Sequence, residues 1–275
     1  CCKAVVACRV SPAQKAQIVA LIRENVRGVR TVAIGDGAND VAMIQEAHIG
    51  IGISGQEGLQ AVNASDYAIA RFKYLQRLLL VHGRWNYIRM SRLVVYMFYK
   101  NIMLSAAQFW YTFASGFSGQ KVYLELGFQV YNICFTSMPI VALAVYDYDV
   151  SDTMSIKFPK MYYPGPQDMF FNKSVFCIWI ASALFESMGI CFWTLLAVNN
   201  LDLDGRDPGL FLVGAFLFTM VVVIANLKLM LVQLSWHWFT FILYSLSIAF
   251  WFAIAYIASY WTLAGGLDWR KMMDG

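Results

Sequence analysis

Charge is scarce in this 275-residue sequence: 14% of its residues are Asp, Glu, Lys or Arg, against 59% apolar and 16% aromatic. A soluble domain carries about 25% charged residues. A disordered chain is therefore excluded, and a single soluble globule has too much surface to cover with so few charges. The formal net charge of +4 is small, and with nine Trp and fifteen Tyr it points to membrane interfaces and not to a nucleic-acid partner. Six cysteines (Cys1, Cys2, Cys8, Cys134, Cys177 and Cys191) lack the paired spacing of a metal site and read as free thiols in apolar surroundings. There is no initiator Met and no apolar run short enough, or early enough, for a cleaved signal peptide.

The charges that exist are clustered. Up to Leu93 the chain holds 12 of the 21 Lys and Arg and 6 of the 17 Asp and Glu. Residues 1–92 follow an α/β pattern. Residues 93–275 hold five apolar runs, 93–114, 126–146, 175–198, 210–234 and 238–261, each long enough to cross a hydrocarbon core as a helix. An all-α transmembrane bundle is the expectation for this second region. Arg71, Lys73, Arg77, Arg84, Arg89 and Arg92 precede the first run and put the N-terminal region in the cytosol. Lys157, Lys160 and Lys173 return the connection between the second and third runs to the same side, whereas the connections at Lys121 and at Asp202, Asp204, Arg206 and Asp207 carry little basic excess. Five crossings leave Gly275 outside, and both ends of the chain read as cut.

Residues 4–10 read as a short apolar strand. Ser11-Pro12-Ala13-Gln14 then predicts a helix start, with Ser11 as cap, Pro12 at the first position and Gln14 completing a capping box. That helix runs to about Asn25, with Ile18, Leu21 and Ile22 on one face. Lys15 falls in its first turn, either as one more solvated lysine or beside free N–H groups that favour an anion such as phosphate. Thr31 to Ile34 reads as a buried strand, followed by the loop Gly35-Asp36-Gly37-Ala38-Asn39-Asp40 and a helix from Val41. In open α/β sheets ligands bind beyond the carboxyl ends of strands, and Gly35 and Gly37 let the backbone come close to one. Asp36 and Asp40 are hard oxygen ligands of the kind Mg²⁺ uses, one or two at a time, with water and phosphate completing its sphere.

Cys8-Arg9-Val10-Ser11-Pro12 with Lys15, the loop 35–40 with Val41 and Met43, and His48-Ile49-Gly50-Ile51-Gly52-Ile53 together resemble the phosphorylation domain of P-type ATPases. The stretch Gly52-Ile53-Ser54-Gly55-Gln56-Glu57-Gly58 with Ala61, Ser65-Asp66-Tyr67 and Phe72 is similar to the phospholipid-flippase branch. The resemblance implies a partial haloacid-dehalogenase-like fold for residues 1–92. It also implies that Lys15 contacts an aspartyl phosphate, that Asp36 and Asp40 serve magnesium, and that Asn39 lies near the phosphate. ATP would be the co-substrate. The aspartate that attacks ATP belongs to an Asp-Lys-Thr-Gly motif absent from this sequence, as are the actuator motif and a nucleotide-binding domain. The chain thus matches only the C-terminal part of the family and is not expected to hydrolyse ATP alone.

Lys100 lies eight residues into the first run, about 12 Å along a helix. It reads either as a functional charge facing a bundle interior or as a lysine snorkelling to the interface. The second run contains no Asp or Glu to replace an ion's hydration shell, and offers Asn132, Cys134, Thr136, Ser137 and a kink at Pro139. This combination suits an anionic or zwitterionic head group. By resemblance, Lys100 and Asn101 match a Lys-Asn pair on the family's fifth helix, Asn132 and Phe135-Thr136-Ser137-Met138-Pro139 match its sixth, and the five runs are helices five to nine of ten. Glu186 reads as a structural hydrogen bonder, in one version a neutral acid, and Lys228 as a snorkelling lysine. His48, His82 and His237 lack ligand spacing, and Asp147 to Asp152 lacks the glycine and distal Glu of a calcium loop.

The resulting expectation is the C-terminal part of a magnesium-dependent, ATP-driven flippase moving phospholipid from the outer to the cytosolic leaflet. The family resemblance adds a two-helix glycoprotein subunit as partner and the plasma membrane or secretory and endosomal membranes as location. The rivals are a cation-transporting P-type ATPase, a membrane-tethered phosphatase of the same soluble fold, and a non-catalytic membrane scaffold.

Overall fold

The structure is a computed structural model describing residues 4–55, 59–123, 125–201 and 209–263. Cys1, Cys2, the Gln56-Glu57-Gly58 stretch, the connection at Asp202, Asp204, Arg206 and Asp207, and Gly275 lie outside the described residues. The chain forms two compact units, Cys1–Arg84 with Asp152–Pro166, and Trp85–Ser151 with Gln167–Gly275.

The first unit begins irregularly. Residues 4–10 form no strand: Val5 and Val6 are 80% and 88% exposed, and Arg9 sits in the left-handed region at φ 54°, which ends an extended run. Helix α1 (Pro12–Asn25) starts as the sequence predicts. The Gln14 amide donates to Ser11 Oγ at 3.4 Å and the Ser11 amide donates to Gln14 Oε1 at 2.9 Å, with Pro12 at the first position. Its apolar positions Ile18, Leu21 and Ile22 are nonetheless exposed.

Three short parallel strands, β1 (Val32–Gly35), β2 (Ile49–Ile53) and β3 (Tyr67–Ile69), form a sheet in that order. Val32 pairs with Ile49, and Ile51 with Tyr67. Helices α2 (Val41–Glu46) and α3 (Gln60–Asn63) make the two crossovers. The alternation Ile-Gly-Ile-Gly-Ile in β2 explains how they pack. A Cβ on Gly50 would lie 2.5 Å from Ile44 Cγ2, and one on Gly52 2.7 Å from Val62 Cα, so only glycine lets both helices lie against the sheet. Ala33, Ile44 and Ala61 form the small core.

The remainder of this unit is a 3₁₀ turn at Phe72–Tyr74, α4 (Leu75–Arg77), a π-helical stretch Leu78–Gly83 and, from the later segment, α8 (Asp152–Lys157) with a 3₁₀ turn Pro159–Tyr162. Arg77 pairs with Asp152 at 2.9 Å, and the Arg84 guanidinium donates to the Met161 carbonyl.

The second unit is helical. It contains α5 (Arg84–Ala114), apart from its first residue, then α6 (Glu125–Val130), α7 (Ser137–Tyr146), α9 (Lys173–Leu201), α10 (Gly209–Val232) and α11 (Trp238–Leu263). Four stretches are long and apolar enough to cross a membrane: Gly127–Tyr146, Lys173–Val198, Leu212–Val232 and Trp238–Ile257. They correspond to the last four of the five expected runs. Run 93–114 lies within the 31-residue α5, which is long enough but diluted by Lys100, Asn101 and Gln108.

The core is aromatic. Phe218 of α10 lies 4.5 Å from the ring of Trp251, 5.5 Å from Tyr123, 5.8 Å from Tyr131 and 5.9 Å from Phe135, between centroids. Large apolar side chains also point outward, with Phe185 at 72%, Trp193 at 64% and Leu231 at 83% exposure, as helices facing lipid require.

Candidate functional site

Two places gather the residues that the sequence singled out. The first is the loop after β1. Ala38–Asp40 closes as a 3₁₀ turn, with the Asp40 amide donating to the Gly37 carbonyl at 3.1 Å. The turn folds Asp40 back towards the strand end, where its Oδ2 accepts the Asp36 amide at 3.4 Å and its Oδ1 accepts Lys15 Nζ at 2.7 Å. The capped start of α1 brings Lys15 there. The pair is largely sheltered, with side chains 30% and 13% exposed. Gly35 is needed because a Cβ would overlap the Asp40 side chain, so its space is taken by this chain's own carboxylate. Gly37 is buried, whereas Asp36 and Asn39 are exposed.

The loop thus offers one open carboxylate, one lysine-bound carboxylate and an amide. Among the described residues no group of three or more His, Cys, Asp or Glu is arranged to hold a metal. This donor set fits a magnesium ion that takes one or two carboxylates and completes its octahedron with water and phosphate. It does not fit a metal caged by protein alone.

The second place lies within the helical unit. Lys100 is 1% exposed and its ammonium donates to Thr136 Oγ1 at 2.7 Å. It also lies 5.8 Å from the Tyr131 ring centroid. Thr136 in turn donates to the Tyr131 carbonyl at 3.1 Å. This hydroxyl is presented by a break in the helix: α6 passes into a π-helical stretch, Tyr131–Phe135, and α7 begins only after Thr136. The kink expected at Pro139 therefore falls three residues earlier. Pro139 has no N–H for the carbonyl of residue 135, and the freed carbonyl turns to other helices. It accepts Asn226 Nδ2 at 3.1 Å, and Ser247 Oγ as well.

The structure does not gather the expected trio. Asn101 is half-buried, donates to the Met97 carbonyl of its own helix at 2.9 Å, and lines a groove of about 430 Å³ with Phe98, Ile102, Phe109 and Leu184. Asn132 is exposed. Among the described residues no hydrogen bond joins Lys100, Asn101 and Asn132 to one another.

Sequence reasoning missed three arrangements. Glu186 is not a lone neutral acid. Its Oε1 accepts Lys228 Nζ at 2.5 Å and Ser182 Oγ at 2.6 Å, and its Oε2 accepts the Tyr99 hydroxyl. Lys228 accordingly points at α9 instead of snorkelling, with Tyr99 and Trp179 rings 5.2 and 5.8 Å from its ammonium. Asp147, 1% exposed, accepts the Leu234 and Ser235 amides at 2.9 and 2.8 Å and pairs with Arg92 at 3.1 Å. Arg89 donates to the Asp147 carbonyl. Asn226 is the third. Apart from Ser182, one helical turn from Glu186, these partners lie far off in sequence, and no spacing rule connects them.

Residues 62–272 match the family described as "Phospholipid-translocating P-type ATPase C-terminal". The chain is 53% identical over 191 residues to human "Phospholipid-transporting ATPase ID", an alignment covering 70% of this chain and 16% of that protein. It is 44% identical over 259 residues to human "Probable phospholipid-transporting ATPase IM", covering 93% and 22% respectively. The yeast Saccharomyces cerevisiae "Phospholipid-transporting ATPase DNF1" is 42% identical over 255 residues, 90% of this chain and 16% of that protein. The chain spans at most about a fifth of the length of these three relatives. By its match over most of its residues, the chain belongs to the family of phospholipid-translocating P-type ATPases, within their C-terminal part.

Proposed function

We propose that this chain is the C-terminal part of an ATP-driven phospholipid flippase, which moves lipid from the exoplasmic to the cytosolic leaflet through an aspartyl-phosphate cycle. The observation that carries the reading is Lys100. Its charge is buried in a helical unit, donates to a neutral hydroxyl, and has no carboxylate at ion-pair distance among the described residues. An uncompensated buried cation is costly, so a ligand that supplies the anion is bound strongly. The phosphate of a lipid head group is such an anion. The charge inventory supports lipid over a metal cation: Glu186 is the single acid within the four apolar stretches, and Lys228 neutralises it.

In this reading the first unit is part of a haloacid-dehalogenase-like phosphorylation domain in the cytosol, and α5 is the first of five membrane helices. Asp36 and Asp40 hold magnesium, Lys15 meets the aspartyl phosphate, and Asn39 lies beside it, with Gly35 and Gly37 shaping the loop. Magnesium, when bound, neutralises phosphoryl oxygens. Lys15, whose ammonium lies 2.7 Å from Asp40 Oδ1, would have the aspartyl phosphate as a second anionic partner. Asn101 and Asn132 would line the lipid's route on either side of Lys100. A two-helix glycoprotein subunit and the plasma membrane or secretory and endosomal membranes complete the proposal.

The test is Lys100→Ala in the full-length protein, assayed for lipid-stimulated ATP hydrolysis and for phosphoenzyme formed from ATP. The half-saturating phospholipid concentration should rise by a larger factor than the phosphoenzyme level falls. Loss of phosphoenzyme with unchanged lipid half-saturation would overturn the assignment.

A further inference from the structure

The head-group reading depends on where Thr136 stands, and Thr136 stands on a segment that cannot hold itself. Between Tyr131 and Ser137 the backbone leaves regular α-helix, and Pro139 deprives the Phe135 carbonyl of its helical donor. An unsatisfied carbonyl at membrane depth costs several kcal/mol. It is satisfied instead from two other helices, by Asn226 of α10 and Ser247 of α11. Both residues are buried, at 0% and 3% exposure.

Asn226 carries a further mark. Its Nδ2 donates to two carbonyls, Phe135 at 3.1 Å and Val222 at 2.9 Å, which fixes the orientation of the amide. Its Oδ1 is then left buried without a partner. A buried orphan acceptor costs about 1–3 kcal/mol, so this amide is poorly explained as filler. Its donors offset that cost, and one of them goes to the residue next to Thr136.

We infer that Asn226 and Ser247 are positioning residues for the head-group site: by holding the Phe135 carbonyl they fix the broken helix in the one geometry that sets Thr136 Oγ1 against the Lys100 ammonium. They touch no substrate themselves. This rests on the reading of Lys100 as the head-group cation, and it adds that α10 and α11 set how tightly that cation binds. A shift of the Phe135 carbonyl away from α10 would loosen Thr136 and leave Lys100 without its hydroxyl.

The experiment compares Asn226→Leu, Ser247→Ala and Lys100→Ala in the full-length protein, in detergent micelles with rising mole fractions of phosphatidylserine or phosphatidylcholine. Asn226→Leu and Ser247→Ala should each raise the half-saturating lipid fraction about five- to tenfold, the factor carried by one lost hydrogen bond. Phosphoenzyme formed from ATP should fall by a smaller factor. Two unchanged half-saturation values overturn the inference, and so does a parallel loss of phosphoenzyme and lipid response, which a merely structural role would give. Should Asn226→Leu fail to fold, Ser247→Ala removes a single oxygen and decides alone. If Lys100→Ala shifts the lipid dependence and the other two do not, this inference fails and the head-group reading stands. If Lys100→Ala shifts nothing, both fall.

Discussion

Asp40 illustrates how a single side chain ties a helix start to a loop. Bound to Lys15 and to the Asp36 amide, it is neutralised from within the chain, while Asp36 stays open to solvent. The two carboxylates are therefore unequal, and substituting them should have unequal effects. Asp36→Asn in the full-length protein should abolish lipid-stimulated ATP hydrolysis while the fold, read by thermal unfolding of the intact protein, changes by less than about 1 kcal/mol, since it removes an exposed charge. Asp40→Asn should lower activity and also loosen α1, because Lys15 loses its partner. Equal unfolding temperatures for the two variants would contradict this. The order of strand, acidic loop and helix was legible from the residues alone, whereas the pairing of Lys15 with Asp40, 25 residues apart, was not. No local rule specifies a contact between a helix start and a loop across the chain. Gly35 was likewise legible as a required glycine, but the group that fills its space is Asp40 and not a ligand.

Secondary structure was most legible where its signals are local. Helix α1 began where Ser11, Pro12 and Gln14 placed it, because a capping box is settled within four residues. Residues 4–10 were misread because an apolar β-branched run becomes a strand only beside another strand, and the sheet order β1-β2-β3 gives them none among the described residues. Four of the five expected runs fall on helices long and apolar enough to cross a membrane, but the links between helices were not legible in the sequence. The Glu186–Lys228 pair joins α9 to α10 across 42 residues. Both side chains are about a quarter exposed, so its contribution lies between that of a surface and a fully buried pair. Lys228→Met alone should cost about 1–3 kcal/mol by leaving Glu186 unpaired among apolar helices, and the double variant Glu186→Gln/Lys228→Met should recover much of it. A denaturation series in detergent tests this. A double variant as unstable as the sum of its singles would show that the two charges do not interact.

At the scale of the whole molecule, the scarcity of charge has a physical address. The outward surface of the helical unit is itself apolar, as Phe185, Trp193 and Leu231 show, while its polar atoms meet inside. Single-tryptophan variants of the full-length protein in bilayers with brominated acyl chains should reveal this directly. Trp193, 64% exposed, should be strongly quenched, and Trp251, 2% exposed and packed against the Phe218 ring, should not. Equal quenching would mean that the bundle packs differently in lipid. The Asp147 cluster adds a consequence in time. The ribosome makes Asp147 well before Leu234 and Ser235, which lie 87 and 88 residues downstream. Until those amides are synthesised, only part of its carboxylate is satisfied, and α5 and α7 share a buried charge that is not yet fully paired. Assembly of α5 and α7 is thus completed by the turn between α10 and α11, and a nascent chain interrupted before that turn carries its own mark of incompleteness.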